Sequence, residues 1–222
     1  MSGPGGPGLD DRVRALATRF RGEDRALVVA AADRLAAFLS NLLEKNAEMN
    51  LVSARSAAPE VLVETHLFDA LLGLALLPKP REKALRLLDL GSGGGFPAIP
   101  LLIARPDLVG ALVESSRKKS AYLEDALTRL ALTASVLNAR FPDSFPMDGT
   151  PRYDVLTTRA VGSAGKLVRA ARPVLAPGAR ALLWTTRPLA AEAVGASRAK
   201  RQAFYPAPGA ELRGILSLEC FT

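Results

Sequence analysis

One cysteine, Cys220, and one histidine, His66, in a chain of 222 residues remove whole classes of chemistry at once. A disulfide framework needs pairs of thiols, and a structural or catalytic zinc centre of the usual kind needs several imidazole or thiolate ligands; neither set exists. A Ser-His-Asp hydrolase would have to run through His66 alone, and no G-x-S-x-G nucleophile elbow accompanies it. Aromatic residues make up 5% of the chain, too few for an extended platform on which single-stranded bases stack. No uncharged apolar run reaches spanning length, and Met1–Gly8 is Gly/Pro-rich and followed by Asp10, Asp11 and Arg12, so no secretory signal is read and a cytoplasmic protein is expected. What remains is ordinary globular composition, 49% hydrophobic and 23% charged, enough for one α/β core.

The net charge of +7 is unevenly spread. Met1–Glu114 holds 13 Lys and Arg against 14 Asp and Glu, whereas Ser115–Thr222 holds 16 against 8, a net +8. Two readings fit: a solvated arginine-rich surface, or a face for nucleic acid. The hydrophobic periodicity is also uneven. Leu9, Val13, Leu16 and Phe20, then Leu27, Ala31, Leu35, Phe38, Leu39 and Leu42, fall at helical spacing; Lys45–Arg55 interrupts, and a third helix is predicted from Pro59 to Leu77, stopped by Pro78-Lys79-Pro80. Beyond that point short apolar runs alternate with helical stretches, the pattern of βαβ units. Strands are predicted at 85–90, 109–114, 133–137, 153–157 and 179–184, with a weaker closing pair near 203–205 and 215–221. The expected organisation is a tip at 1–8, a helical extension at 9–80 and an α/β domain at 81–222 with a mostly parallel, doubly wound sheet of about seven strands.

The most specific local feature is Leu87-Leu88-Asp89-Leu90-Gly91-Ser92-Gly93-Gly94-Gly95-Phe96-Pro97, a buried strand entering a glycine-rich turn and then a helix. In a doubly wound sheet, such a loop after the first strand is where ligands lie. A dinucleotide fingerprint requires a glycine where Phe96 stands, and Pro97 and Pro100 remove N–H donors a pyrophosphate would use; no Gly-Lys-Ser/Thr follows to make a Walker loop. Glu114, 23 positions past Gly91 at the predicted end of the second strand, suits a ribose diol, and Asp89 suits a cationic group. Adenosine without pyrophosphate fits best, and S-adenosylmethionine meets that description. Structural alternatives are a loop cap for Asp89 and a surface carboxylate for Glu114.

The run Asp89-x-Gly-x-Gly-x-Gly-Phe96-Pro97-Ala98-Ile99-Pro100 resembles the cofactor motif of the bacterial small-subunit ribosomal RNA guanine-N7 methyltransferases, the family also called glucose-inhibited division protein B. Asn46 with Met49-Asn50-Leu51 and Arg55, His66-Leu67-Phe68-Asp69, Arg117-Lys118-Lys119 with Tyr122-Leu123, and Thr158-Arg159-Ala160-Val161 are similar to further family segments, so the likeness spans about residues 35–185. The resemblance implies a class I methyltransferase fold, S-adenosylmethionine as cofactor, and N7 of a guanine in the decoding region of 16S rRNA as acceptor. It implies that Gly91 and Phe96 line the cofactor, that Glu114 holds the ribose, and that Arg159 stands at the edge shared by cofactor and substrate; Asp89, Gly93, Gly95 and Ser115 complete the expected cofactor-binding residues. Beside the adenine the family places Ala-Glu or Val-Glu after an arginine; here Arg140 is kept and Phe141-Pro142 replaces the pair, leaving backbone contact from Phe141. Trp184-Thr185-Thr186 where the family has a Lys-Gly step, and Ala70 in place of serine, are further departures.

The chemistry agrees with a sparse inventory. Guanine N7 has an in-plane lone pair and no proton, so its methylation needs alignment and no general base. Amino-group methyltransferases carry an acid or Asn before Pro-Pro-aromatic where this chain has Thr158-Arg159, and cytosine-C5 enzymes need a nucleophilic cysteine, whereas Cys220 falls in a terminal strand. Arg159 is the expected catalytic residue because its planar fork can hold a phosphate, a carboxylate or a guanine edge; a salt bridge to Asp154 or Asp89 is the alternative. His66 reads as a structural hydrogen-bonder or a pocket wall, Phe96 as core or pocket wall. Arg117, Lys118 and Lys119 open a helix, where cations oppose the dipole, so an anion is expected there; with Arg140 they are the expected RNA contacts. The expected partner is 16S rRNA or the small ribosomal subunit, with no membrane, no metal and a monomeric protein. A small-molecule or protein methyltransferase, or an RNA-binding protein with a degenerate pocket, stays open at this point.

Overall fold

A computed structural model describes residues 8–149, 151–159, 162–199 and 201–220. The N-terminal tip, the Ala160-Val161 half of the Thr158–Val161 motif, Lys200, Phe221 and the side chain of Cys220 lie outside the described residues. Helix α1 (Leu9–Leu16) leads through a 3-10 turn into α2 (Gly22–Met49). The latter runs seven residues past the last periodic position, Leu42, because Lys45–Met49 is polar but helix-compatible; Asn50, at φ 50°, ends it in the left-handed region that asparagine tolerates. On length and composition α2 could cross a bilayer. Its apolar stripe, including Val28, Leu35, Phe38, Leu39 and Leu42, is instead buried in the core.

The third helical stretch starts at Pro59 as α3 (Pro59–Val61), loosens into a π-helical turn over Leu62–Leu67, tightens into α4 (Phe68–Leu71) and finishes as a 3-10 turn over Leu72–Leu76. Then follow β1 (Leu85–Leu90), α5 (Ala98–Ala104), β2 (Leu108–Glu114), α6 (Arg117–Arg129), β3 (Ala134–Asn138), β4 (Tyr153–Arg159), α7 (Ala164–Ala170), β5 (Leu175–Thr186), α8 (Arg187–Ser197), β6 (Arg201–Ala207) and β7 (Ala210–Cys220). The sheet order is β3-β2-β1-β4-β5-β7-β6, with β7 antiparallel to both neighbours. This is a doubly wound α/β sheet of seven strands, mostly parallel, of the Rossmann-like class expected of a class I methyltransferase.

Strand period two sorts the core into two layers. Leu85 and Leu87 of β1, Val155 of β4 and Leu182 of β5 face the helices α1, α2, α4, α5 and α6, whereas Leu88, Leu90, Leu156 and Leu183 face α7 and α8. The N-terminal helices therefore share a continuous core with one sheet face, and Arg34 and Arg180 tie them down further by donating to the Leu130 and Leu76 carbonyls at 2.5 and 2.6 Å. The strand predicted at 179–184 begins earlier, at Leu175, so Pro177-Gly178 lies inside β5. Tyr153 pairs with Leu175 and Val155 with Arg180, so the Pro-Gly turn bulges out of a strand that began earlier.

Helices α7 and α8 touch backbone to backbone at Gly165. A Cβ there would meet the Ala193 carbonyl oxygen at 2.3 Å, closer than any real contact. Gly165→Ala is expected to destabilise the fold by about 1–3 kcal/mol, despite the helix propensity alanine adds, as read by urea denaturation.

Candidate active site

The chain leaves β1, builds β2 and β3 on one side, and returns to place β4 on the other, so β1 and β4 lie side by side at the point where the winding reverses. Asp89 and Thr157 are register partners there. Thr157 Oγ1 donates to Asp89 Oδ1 at 2.6 Å and Thr158 Oγ1 donates to the Leu90 carbonyl at 2.9 Å, locking the two strand ends together. Asp89 is 1% exposed and its Oδ2 has no hydrogen-bond partner among the described residues. Burial pushes its carboxyl up to about 7, against the opposing influence of the Ser92 and Thr157 side chains and with a smaller upward contribution from Glu114.

The glycine loop turns on this carboxylate. Gly91, Gly93 and Gly95 all have positive φ, 77°, 52° and 91°, which a side chain would oppose. The Gly91 and Ser92 amides donate to the Val113 carbonyl at 2.9 and 3.1 Å, and the Gly93 amide donates to Glu114 Oε2 at 2.9 Å. Glu114 Oε1 accepts from the Ser116 amide at 2.7 Å. Glu114 is thus neither an idle surface carboxylate nor fully used: two of its roughly four lone-pair sites are taken, and the remainder can accept from a diol. Ser115 is exposed beside it, and Asn138, at the end of β3, donates to the Glu114 and Ser115 carbonyls at 3.0 and 3.3 Å, closing the rim. After β3, Arg140 is exposed and Phe141 packs edge-on against Phe145 with ring centroids 5.1 Å apart, leaving Pro142 exposed.

Phe96 is both core and wall. It is 7% exposed, its ring centre 5.2 Å from Phe38 of α2 and 5.4 Å from His66. His66 lies in the π-helical turn, and burial together with the Arg159 and Arg213 guanidiniums holds it down at about 4, so it is neutral at physiological pH. Arg159, the last residue of β4, has its guanidinium carbon 6.0 Å from the Phe96 ring centre. Neither expected ion pair forms: Asp154 pairs with Arg81 and accepts the Arg86 amide, and Asp89 is engaged by Thr157. Among the described residues Arg159 Nη1 is buried without a partner, and burial lowers the pKa of the guanidinium, which nevertheless stays charged.

Of the residues expected to meet RNA, Arg117 is exposed on the first turn of α6, whose N-cap is Ser116. Lys118 already has a protein partner: its Nζ donates to the Glu48 carbonyl at 2.6 Å, at the negative end of α2, which explains one cation at a helix start without an external anion. Two residues the sequence named without giving a role join the site. Asp69, in α4, is 5% exposed and faces Arg213 Nε at 3.3 Å, and Trp184 Nε1 donates to the Asp69 carbonyl at 2.7 Å. Arg213, on β7, escaped sequence reading altogether, because 144 positions separate it from Asp69 and no motif links them.

Residues 31–202 match the family model described as rRNA small subunit methyltransferase G, GidB. The chain belongs to this family. A ribosomal RNA small subunit methyltransferase G of Acidiphilium cryptum is 38% identical over 202 residues, covering 89% of this chain and 86% of that one. Its counterpart in Myxococcus xanthus is 37% identical over 183 residues, 80% and 82% of the two chains. Among solved structures, an S-adenosylmethionine-dependent O-methyltransferase of Thermotoga maritima superposes with a TM-score of 0.54 at 14% identity over 82% of this chain and 72% of that one. The CurJ carbon methyltransferase does so at 0.61 and 13% over 95% and 70%. These two share the fold.

The buried Asp89 makes a pH prediction. Its folded-state pKa lies above the ordinary carboxylate value, so ionising it costs the fold on the order of 4 kcal/mol; that stability is present at low pH and lost as pH rises through about 7. A cationic ligand seated against Oδ2 needs the ionised form. S-adenosylmethionine affinity, measured by calorimetry, is therefore expected to strengthen by up to about tenfold per unit as pH rises toward about 7 and then level off, and Asp89→Asn is expected to flatten the profile.

Proposed function

We propose that this chain is a methyltransferase that uses S-adenosylmethionine to methylate N7 of a guanine in 16S ribosomal RNA, on the small ribosomal subunit or its RNA. The observation that carries the reading is the juxtaposition at the carboxyl ends of β1, β2 and β4: a glycine loop pinned by Glu114, and two buried atoms without a partner among the described residues, Asp89 Oδ2 and Arg159 Nη1. Family membership supports ribosomal RNA as the acceptor, and the excess of basic residues after Ser115 supports a polyanionic partner.

The residues fit the cofactor. An unsatisfied buried carboxylate oxygen calls for a cation or a donor, and Asp89 would take the cationic amino-acid end. Glu114 would accept from the ribose hydroxyls with its free lone pairs, while the positive-φ glycines leave the loop bare of Cβ atoms for close approach. Phe141 would offer its backbone to the adenine, since Pro142 has no N–H to give. The cofactor supplies an electrophilic methyl group on a sulfonium. N7 brings its own lone pair and no proton, so the protein has only to orient the base and exclude water. A neutral His66, too weak a base to help at physiological pH, and a fixed Arg159 cation beside Phe96 agree with that division of labour. Arg117, Lys119 and Arg140 are the proposed contacts to RNA phosphates, with Lys118 contributing what its bond to Glu48 leaves free.

The test is to incubate the purified protein with methyl-labelled cofactor and either 30S subunits or naked 16S rRNA, then to map N7-methylguanine by reductive strand scission. Label in 16S rRNA at a single guanine is expected; label on protein or small molecules alone would sink the proposal. Arg159→Ala is expected to lower turnover by roughly 10²-fold or more while the thermal unfolding midpoint is retained.

A further inference from the structure

Beside Arg159 lies a cavity of about 330 Å³ above the carboxyl ends of β4 and β5. Its lining includes Asp69, Thr158, Arg159, Trp184, Arg213 and Ile215. The volume sits at the small end of the range for ligand sites, roughly 300–1,000 Å³, and suits one nucleoside. Two residues of this lining each carry a buried side-chain atom with no hydrogen-bond partner among the described residues: Asp69 Oδ1, an acceptor, and Arg159 Nη1, a donor. The remaining lining mixes apolar residues with Thr158, Thr185 and Thr186. Trp184 is 7% exposed and Ile215 2%, and the indole is fixed by its bond to the Asp69 carbonyl.

An unpartnered donor and an unpartnered acceptor on two residues of one lining define the edge that would satisfy both. Guanine presents O6, an acceptor, next to N1–H and N2–H, both donors, along its Watson–Crick edge. Adenine presents the reverse at the first two positions, an amino donor and a bare N1, and would set donor against Arg159 and acceptor against Asp69. We infer that this cavity is the pocket for the extruded acceptor base, in which Asp69 receives guanine N1–H and N2–H, Arg159 donates to O6, and the Trp184 indole forms the stacking wall. The inference rests on the RNA guanine reading above and assigns its base selectivity to Asp69. O6 and N7 are neighbours on the purine, so an O6 held at Arg159 would set N7 beside the same guanidinium, whose carbon lies 6.0 Å from the Phe96 ring centre. Arg213 keeps the Asp69 carboxylate oriented through Oδ2 and leaves Oδ1 for the base.

Trp184 is the chain's single tryptophan, so its fluorescence reports on this pocket alone. GMP, IMP and AMP carry the same phosphate and ribose and differ in the base. Titration at up to millimolar nucleotide is expected to quench Trp184 with GMP favoured over AMP by about tenfold, and IMP, which keeps O6 and N1–H, should fall with GMP. In Asp69→Asn that preference should collapse toward one, and kcat/KM on rRNA should drop about 10–100-fold with the calorimetric affinity for S-adenosylmethionine unchanged. If Asp69→Asn does not fold, the nucleotide ranking on the unmodified protein decides. No quenching by GMP, or equal quenching by GMP and AMP, overturns the inference even if N7-methylguanine forms in 16S rRNA. A GMP preference with no label on RNA supports the pocket and overturns instead the reading of rRNA as acceptor.

Discussion

The buried carboxylate of Asp89 constrains everything around it. One oxygen is met by Thr157 and the other by nothing the described residues provide, so the end of β1 carries an electrostatic debt that only a cation or a proton offsets. Holding that group in place demands the parallel register of β1 with β4, which brings Thr157 opposite Asp89, and of β1 with β2, which sets the Val113 carbonyl under the Gly91 and Ser92 amides. Glu114 then clamps Gly93 and Ser116 together. The loop is pre-shaped by these bonds, and little ordering is left to be done when a ligand arrives.

The helical N-terminal region takes part in the site and is not simply attached beside it. Period-two alternation puts Asp89 and Thr157 on the sheet face that α2 and α4 cover, so Phe38, His66 and Phe96 come into ring contact next to the loop. The π-helical turn around His66 and the short helix after it deliver Asp69 toward β5 and β7, where Trp184 and Arg213 hold its backbone and its carboxylate. Arg159, at the end of β4, both lines the cavity and lies with its guanidinium carbon 6.0 Å from the Phe96 ring centre beside the glycine loop. Two guanidiniums near one buried carboxylate and one neutral histidine leave a positive field where a base carbonyl and a phosphodiester chain would lie.

Local patterns were a good guide where the physics is local. The strand-turn-helix at Leu85–Ala104, the glycines, Glu114 at the end of β2 and Arg159 at the end of β4 were all legible, because strand alternation, positive φ and the place of ligands in a doubly wound sheet leave direct marks on the sequence. Element ends were less so. Nothing in Lys45–Met49 announces that α2 continues, and the Pro177-Gly178 pair looks like a boundary although it is a bulge within β5. Lys118 read as a free cation because its partner, the Glu48 carbonyl, is a backbone atom 70 positions away.

The amino-acid sequence by itself determined the class of fold, the cofactor loop and the two acids that flank it, since each is a short-range consequence of residue type and spacing. Tertiary structure alone decided which polar groups are left unsatisfied. Asp69 reads as one carboxylate among many and Arg213 as one cation among many until the sheet order β5-β7 brings them together against Trp184. Whether a buried donor or acceptor has a partner depends on every element packed around it, and that sum exists only once the chain has folded.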